Sequence, residues 1–237
     1  MSDVLIQGLL LGGLYALFAL GQSLMFGVMR LTNTAQGDFI ILGGFFAISL
    51  AAATGLSPGL ALLAVAPVAF VFGYVLQRFV LNGTLGRDPL PSLVVTFGLA
   101  IIIQNMLLEV YSADPRSLDT GALAIDSLSV GGATVGTLPL LIFAVAVLAT
   151  FALQALFSFT SLGRSFRAVS DDREAAQLMG IRPAIVYAQA TGIAFVLIAV
   201  AGAFQAMRTT VAPSDGPLLL LFAFEAVIIG GMGSFWG

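Results

Sequence analysis

Seven apolar runs separated by short polar breaks organise this chain. Their approximate limits are residues 4–29, 37–54, 59–80, 91–111, 138–159, 184–207 and 217–233. Each is long enough, or nearly so, to cross the hydrocarbon core, roughly 30 Å thick and spanned by about 20 helical residues. The pattern predicts an all-α polytopic membrane protein with about seven transmembrane helices, forming one domain over 1–237. The second run is the weakest. Its 15 strongly apolar residues, Phe39 to Ala53, follow the polar patch LTNTAQGD, and a short, broken or re-entrant helix is expected there.

Composition agrees with the pattern and removes several chemistries. The 237 residues are 59% hydrophobic and 9% charged, with mean hydropathy +1.06; soluble domains carry about 25% charged residues. Cys is absent, which excludes disulfides and thiolate chemistry. His and Lys are absent too, so all 9 basic residues are Arg. A phosphate-binding loop of the Walker A type needs its lysine, so the chain does not hydrolyse ATP on its own. No His–carboxylate pair, thiol or metal cluster is visible, which argues against an enzyme. The N-terminal MSDVLIQGLLLGG has no basic region before its apolar stretch, so the first span is expected to remain as an anchor.

Arginine placement predicts orientation. With the N-terminus outside, Arg30, Arg78, Arg87, Arg164, Arg167, Arg173 and Arg182 fall inside, and Arg116 and Arg208 outside; this is a positive-inside bias. The 112–137 loop then lies on the outer, periplasmic side. It is Gly- and Ser-rich, and its Ile125–Leu128 stretch is a candidate hairpin strand. Asp114 and Arg116 there are candidate contacts for a soluble partner.

Two patterns within the spans concern packing. Gly8, Gly12 and Ala16 recur every fourth position, a spacing that lets helix backbones approach closely in lipid; packing within the subunit and a seam between subunits both fit. Asp38 and Glu225 are each followed by four apolar residues and a Gly-Gly pair. On the predicted topology these segments run in opposite directions, as in inverted-repeat transporters.

The most informative stretch is the charged island within 160–183. Residues 161–182 carry four of the nine arginines, together with Asp171, Asp172 and Glu174. Asp171 with Glu174 three residues later has the form of a capping box, Gly180 suits a left-handed helix end, and Pro183 suits the first turn of the next span. A helix of about two turns over 172–179 follows. Ala175, Leu178 and Met179 share one side of it. A helix docked in a groove of another protein and a solvated connector on lipid headgroups are both consistent with this stripe.

The stretch LGRSFRAVSDDREAAQLMGI strongly resembles the inner-membrane permeases of branched-chain amino acid ABC importers. FALGQSLMFGVMRLTNTAQGDFIILGGF, PSLVVTFGLAIIIQN and FEAVIIGGMGSFWG resemble further motifs of that family, in order, from about residue 5 to the last residue. The resemblance implies a multi-pass permease of the bacterial inner membrane that binds no cofactor itself. Its implied partners are cytoplasmic ATPase subunits that hydrolyse ATP, a second permease, identical or homologous, and a periplasmic solute-binding protein. It also implies that Asp172, Arg173, Glu174, Ala175, Ala176, Leu178, Met179 and Gly180 form the helix coupling the permease to its ATPase. Two departures stand out. Gln36 and Asp38 occupy positions where the family commonly has His and Glu, so Gln36 cannot titrate. Family members usually continue about fifty residues, through at least one more span, beyond the motif in which this chain ends; a fragment and a truncated product are both consistent with that.

The polar residues within the spans are candidates for the translocation path: Asn33, Gln36 and Asp38 at the first break, Gln104 and Asn105 in the fourth run, and Glu225 in the seventh. A carboxylate at the bilayer centre costs on the order of 2.5–3.5 kcal/mol, so Glu225 is expected to face protein or water, with Asn33 or Gln36 as its partner. Interhelical hydrogen bonding is the simpler reading of the amides. The function expected is an ATP-driven importer's membrane subunit for branched-chain amino acids or similar small polar solutes such as urea or amides. The rival is an ion-gradient-driven secondary transporter or a channel-like subunit. Proton relays usually need Asp, Glu or His inside the membrane, and the absence of His and scarcity of deep acids argue against the first.

Overall fold

The computed structural model describes residues 2–86, 88–121, 126–130 and 133–234. Its helices are α1 (Ser2–Met29), α2 (Gln36–Thr54), α3 (Pro58–Phe79), α4 (Leu90–Tyr111), α5 (Thr137–Phe159), α6 (Ser161–Asp171), α7 (Arg173–Leu178), α8 (Pro183–Arg208) and α9 (Gly216–Gly230). Single 3₁₀ turns cover Leu81–Gly83 and Pro213–Asp215. Strands β1 (Ser127–Val130) and β2 (Ala133–Gly136) form an antiparallel hairpin, with Ser127 opposite Gly136. The expected strand shares Ser127 and Leu128 with β1, and its Ile125 lies outside the described residues.

Seven of these helices, α1 to α5, α8 and α9, are long and apolar enough to cross a membrane. Their ends sit where local chemistry dictates. Pro58 and Pro183 occupy first turns, where a missing N–H costs nothing. Gly55 closes α2 in the left-handed conformation (φ 65°), its N–H donating to the Ala51 carbonyl. The seventh span stops at Gly230, short of the expected 233, because Gly231 and Gly233 both take φ +89°.

One expectation is corrected. The second span is an unbroken helix of 19 residues. The polarity that made it look weak lies ahead of it, in the non-helical residues 30–35, where Arg30 takes φ 53°. There the Asn33 side-chain oxygen accepts the Ala35 N–H at 3.1 Å, a local turn that competes with helix.

Burial ranks the spans. In α8 61% of the most hydrophobic window is buried, against 17% in α4 and α5; α8 is the central post. Its exposed-to-core pattern is not amphipathic, because α1, α2 and α3 surround it. Close approach is possible because the contact residues are small. A Cβ added at Gly43 would lie 2.7 Å from the Ala199 Cα, and one at Gly44 2.9 Å from the Gly202 carbonyl oxygen. A Cβ at Gly202 would collide with the Ile40 carbonyl oxygen, and one at Gly37 with that of Gly216. Aromatic rings fill the remaining volume, with Phe39 edge-on to Phe195 at 4.6 Å. At one end of the bundle the loop after α4 is tied down: Arg116 and Val211 exchange backbone hydrogen bonds at 2.9 and 2.7 Å. Overpacking a tight site costs about 1–3 kcal/mol. Gly202→Ala should therefore lower the thermal midpoint in detergent by several degrees, while Gly98→Ala, which meets nothing within 4 Å, should not; a fluorescence-detected melt of both variants checks this.

Candidate functional site

Two sites emerge, one inside the bundle and one at its arginine-rich end. The inner site is the polar break before α2. Asn33 and Gln36 are fully buried and Asp38 is 4% exposed. The Gln36 amide donates to the Phe18 carbonyl of α1 at 3.2 Å, and the Asn33 amide lies 4.0 Å from the Met25 sulfur. Thr34 and Thr96 share a hydroxyl–hydroxyl bond of 2.8 Å, joining the break to α4. The Asp38 carboxyl lies against Gly216, so the first turns of α2 and α9 meet backbone to backbone. The Gly-Gly-patterned segment that opens at Asp38 therefore meets the start of α9 at Gly216, nine residues ahead of Glu225, and not the polar start of its counterpart. Among the described residues, the side-chain oxygens of Gln22 and Gln36 are buried without a hydrogen-bond partner.

The other path candidates lie elsewhere. Gln104 is half-buried on α4; Asn105 is exposed, its amide donating to the Ile101 carbonyl at 2.7 Å. Glu225 is exposed on α9, in a groove of about 380 Å³ with Tyr15, Ala16, Ala19 and Thr150. The expected contact of Glu225 with Asn33 or Gln36 does not form. Gln36 meets α1 at Phe18 and Gly21, whereas Glu225 meets the side presenting Gly12, Ala16, Ala19 and Ser23. Rotation about α1 separates them.

Sequence reasoning passed over a second buried polar chain. Thr191 of α8 donates to the Gln77 side-chain oxygen at 2.8 Å, the Gln77 amide donates to Asn82 at 3.1 Å, and the Asn82 amide donates to the Ala184 carbonyl at 3.0 Å. Each of these residues is a lone polar position near an apolar run. Their only sequence signal is that a span tolerates so few amides.

At the arginine-rich end, α6 and α7 form a packed pair. Thr160 caps α6, its hydroxyl oxygen accepting the Gly163 N–H at 3.0 Å. Gly163, Phe166 and Val169 are buried, three residues apart. Gly163 has no room for a side chain, because a Cβ would strike the Leu156 carbonyl. The Arg167 guanidinium donates to the Phe157 carbonyl, and the Ser170 hydroxyl donates to the Gly27 carbonyl at 2.6 Å, tying α6 to the end of α1.

The start of α7 differs from expectation by one residue. Asp171 is the last residue of α6, and Asp172 is the cap, its carboxylate accepting the Glu174 and Ala175 N–H groups at 2.9 and 3.0 Å. Burial of Phe166 and Val169 holds α6 helical through Asp171, which leaves the break to Asp172 (φ −147°). The helix is six residues, shorter than the expected 172–179. Its end is a Schellman motif: the Ile181 N–H donates to the Ala176 carbonyl and the Gly180 N–H to that of Gln177, both at 3.0 Å, with Gly180 at φ +83°. Arg173 lies over the Tyr187 ring at 5.9 Å, clipping α7 to α8. Ala176 is 4% exposed and faces the bundle, while Ala175 is exposed, Leu178 is 89% exposed and Met179 84%. Losing an N-cap costs about 1 kcal/mol. Asp172→Ala should thus speed amide exchange across 174–178 by roughly five-fold, and Asp171→Ala should leave it unchanged, as read by hydrogen exchange in lipid nanodiscs.

Comparison with known proteins gives these sites a context. The family model described as the permease component of branched-chain amino acid transport systems matches residues 4–237. The high-affinity branched-chain amino acid transport system permease protein BraD of Pseudomonas aeruginosa is 31% identical over 98% of this chain and 80% of its own length. The corresponding LivH of Escherichia coli K12 is 28% identical over 98% of the chain and 79% of its own. The fructose import permease protein FrcC of Rhizobium meliloti is 29% identical over 89% of the chain, but over 55% of its own length. No solved structure gives a significant match. With seven membrane-crossing helices and a match over nearly its whole length, the chain is a multi-pass membrane protein and belongs to the permease-component family of branched-chain amino acid transport systems.

Proposed function

We propose that this chain is the membrane subunit of an ATP-driven importer in a bacterial inner membrane, carrying branched-chain amino acids or similar small polar solutes. The similarity to BraD and LivH over 98% of the chain and about four-fifths of their own lengths supports that cargo over the sugar named for FrcC, of which the chain spans 55%. In this reading the arginine-rich end is cytoplasmic and the N-terminus is outside. ATP is bound and hydrolysed by separate subunits, a second permease completes the pathway, and a periplasmic solute-binding protein delivers cargo to the side bearing Asp114 and Arg116.

The observation that carries the reading is the exposure of Leu178 and Met179 on a helix capped at both ends and clipped to the core. Two large apolar side chains held out on a rigid rod fit a groove in a docked subunit. The rod has a direct route inward. The four residues Met179 to Arg182 join α7 to α8, α8 touches α2 through Gly43, Gly44 and Gly202, and α2 touches the start of α9 through Gly37. A push on α7 by a closing ATPase therefore reaches the buried break at Asn33, Gln36 and Asp38. Coupling of this kind is reciprocal, so solute delivery outside alters nucleotide affinity inside.

The test uses exposed positions, so folding is not at stake. Leu178→Asp combined with Met179→Asp should abolish co-purification of the ATPase subunits and cut energised uptake at least ten-fold, with an unchanged melting profile. Full uptake by that variant, or uptake persisting after the ATPase is disabled, would show that a separate motor does not drive this chain through α7.

A further inference from the structure

Among the described residues three glutamines are buried, Gln22 and Gln36 beside the polar break and Gln77 on α3. The bundle satisfies Gln77 at both ends, its oxygen accepting from Thr191 at 2.8 Å and its amide donating to Asn82 at 3.1 Å. Gln22 is 1% exposed and Gln36 fully enclosed, yet among the described residues the side-chain oxygen of each meets no hydrogen-bond donor. Gln36 has no better placing. Its amide nitrogen already donates to the Phe18 carbonyl at 3.2 Å, and turning the amide over would set oxygen against oxygen. Orphaned acceptors are rare in folded chains, and here two stand within one turn of α1.

The two belong to one seam. The Gln36 amide meets α1 at Phe18 and Gly21, and Gln22 follows directly after Gly21. Helical spacing also puts Gln22 on the side of Tyr15, two turns earlier, whose ring stacks on Phe222 of α9 at 4.9 Å. Gln22 thus lies between the part of α1 that meets the break and the part that meets α9. Asp38 shares the first turn of α2 with Gln36; it is 4% exposed, and its carboxyl lies against Gly216 at the start of α9. The described arginines are all exposed, so none offers these groups a buried cation. The Asn33 amide, turned to the Met25 sulfur at 4.0 Å, does not reach the two free oxygens either.

Two neutral acceptors and a carboxyl define what fits. A carboxylate is repelled by them. A sugar or an amide brings donors but leaves the carboxyl without a countercharge. An ammonium group brings three donors together with the charge. We infer that this seam receives the amino group of the transported solute: Gln22 and Gln36 accept its N–H donors through their free oxygens, and Asp38 balances its charge, when α2 and α9 part at Gly37 and Gly216. The inference rests on the reading above that the chain is an importer's permease, and it narrows the cargo to amino acids. In the closed bundle the oxygens are sealed and unpaired, so the bonds form only in passage. Interactions made only in passage speed the step without tightening the resting state.

The test uses the assembled complex in proteoliposomes, with leucine uptake measured against the concentration of loaded binding protein and the melting midpoint measured in parallel. Gln22→Met keeps the length of the side chain and removes the acceptor. It should lower kcat roughly ten-fold, leave KM for the loaded binding protein unchanged, and leave the midpoint unchanged or raised. Gln77→Met, which strips Thr191 of its partner, should lower the midpoint. Gln36→Met also loses the bond to Phe18 and is read on rate alone; it should be as slow as Gln22→Met, and Gln36→Glu, which keeps acceptor oxygens, should recover most of the rate. A midpoint lowered in Gln22→Met as in Gln77→Met would show that its oxygen is already paired by water at rest, and would overturn the site; an unchanged kcat would do the same. Slower uptake by Gln36→Glu than by Gln36→Met would overturn the amino-group assignment, because the seam would then receive the solute's carboxylate. A wild-type complex that imports only solutes without an amino group would remove the cargo reading, and the site with it.

Discussion

Backbone contact between α2 and its neighbours α8 and α9 is the constraint on which the rest of the structure depends. In lipid, helices are not driven together by expulsion of water, since hydrocarbon tails are as apolar as leucine. What remains is close packing, where many small dispersion terms add. Gly37, Gly43, Gly44, Gly202 and Gly216 supply that proximity. A glycine inside a helix costs roughly 0.5–1 kcal/mol relative to alanine, and the contacts it permits offset this. Because α8 is the most buried span, the position of α2 against it sets where the polar break and the start of α9 fall.

The break concentrates the uncompensated polarity of the bundle. Asn33, Gln36 and Asp38 are buried together, and among the described residues the Gln36 side-chain oxygen finds no donor. A buried acceptor left unpaired costs about 1–3 kcal/mol. Such groups are rare in folded chains, and here the neighbouring helix starts are also the tightest backbone contacts. Polarity and close approach coincide at one level of the molecule.

Much of this was legible in the residues. Span limits agreed to within a residue at Pro58, Pro183 and Gly55, whereas the glycine-rich end of the seventh span came three residues earlier than expected. The exposed stripe of Ala175, Leu178 and Met179 was readable from spacing alone. Three features were not. The continuity of α2 was obscured because a helix enclosed by α3, α4, α8 and α9 shows no one-sided pattern, and its polar prelude resembled an interruption. The choice between Asp171 and Asp172 as cap depended on how far Phe166 and Val169 hold the preceding helix, a tertiary effect. The separation of Glu225 from Gln36 depended on rotation about α1, which a list of apolar runs does not encode.

The junction between α7 and α8 has a mechanical corollary. Its four residues, Met179 to Arg182, include a glycine held by the Schellman bonds, and Arg173 spans the corner to Tyr187. A joint so braced has little slack. In the proposed coupling role it passes displacement at the surface to the central post with little lost travel, and a helix only six residues long is enough to deliver it.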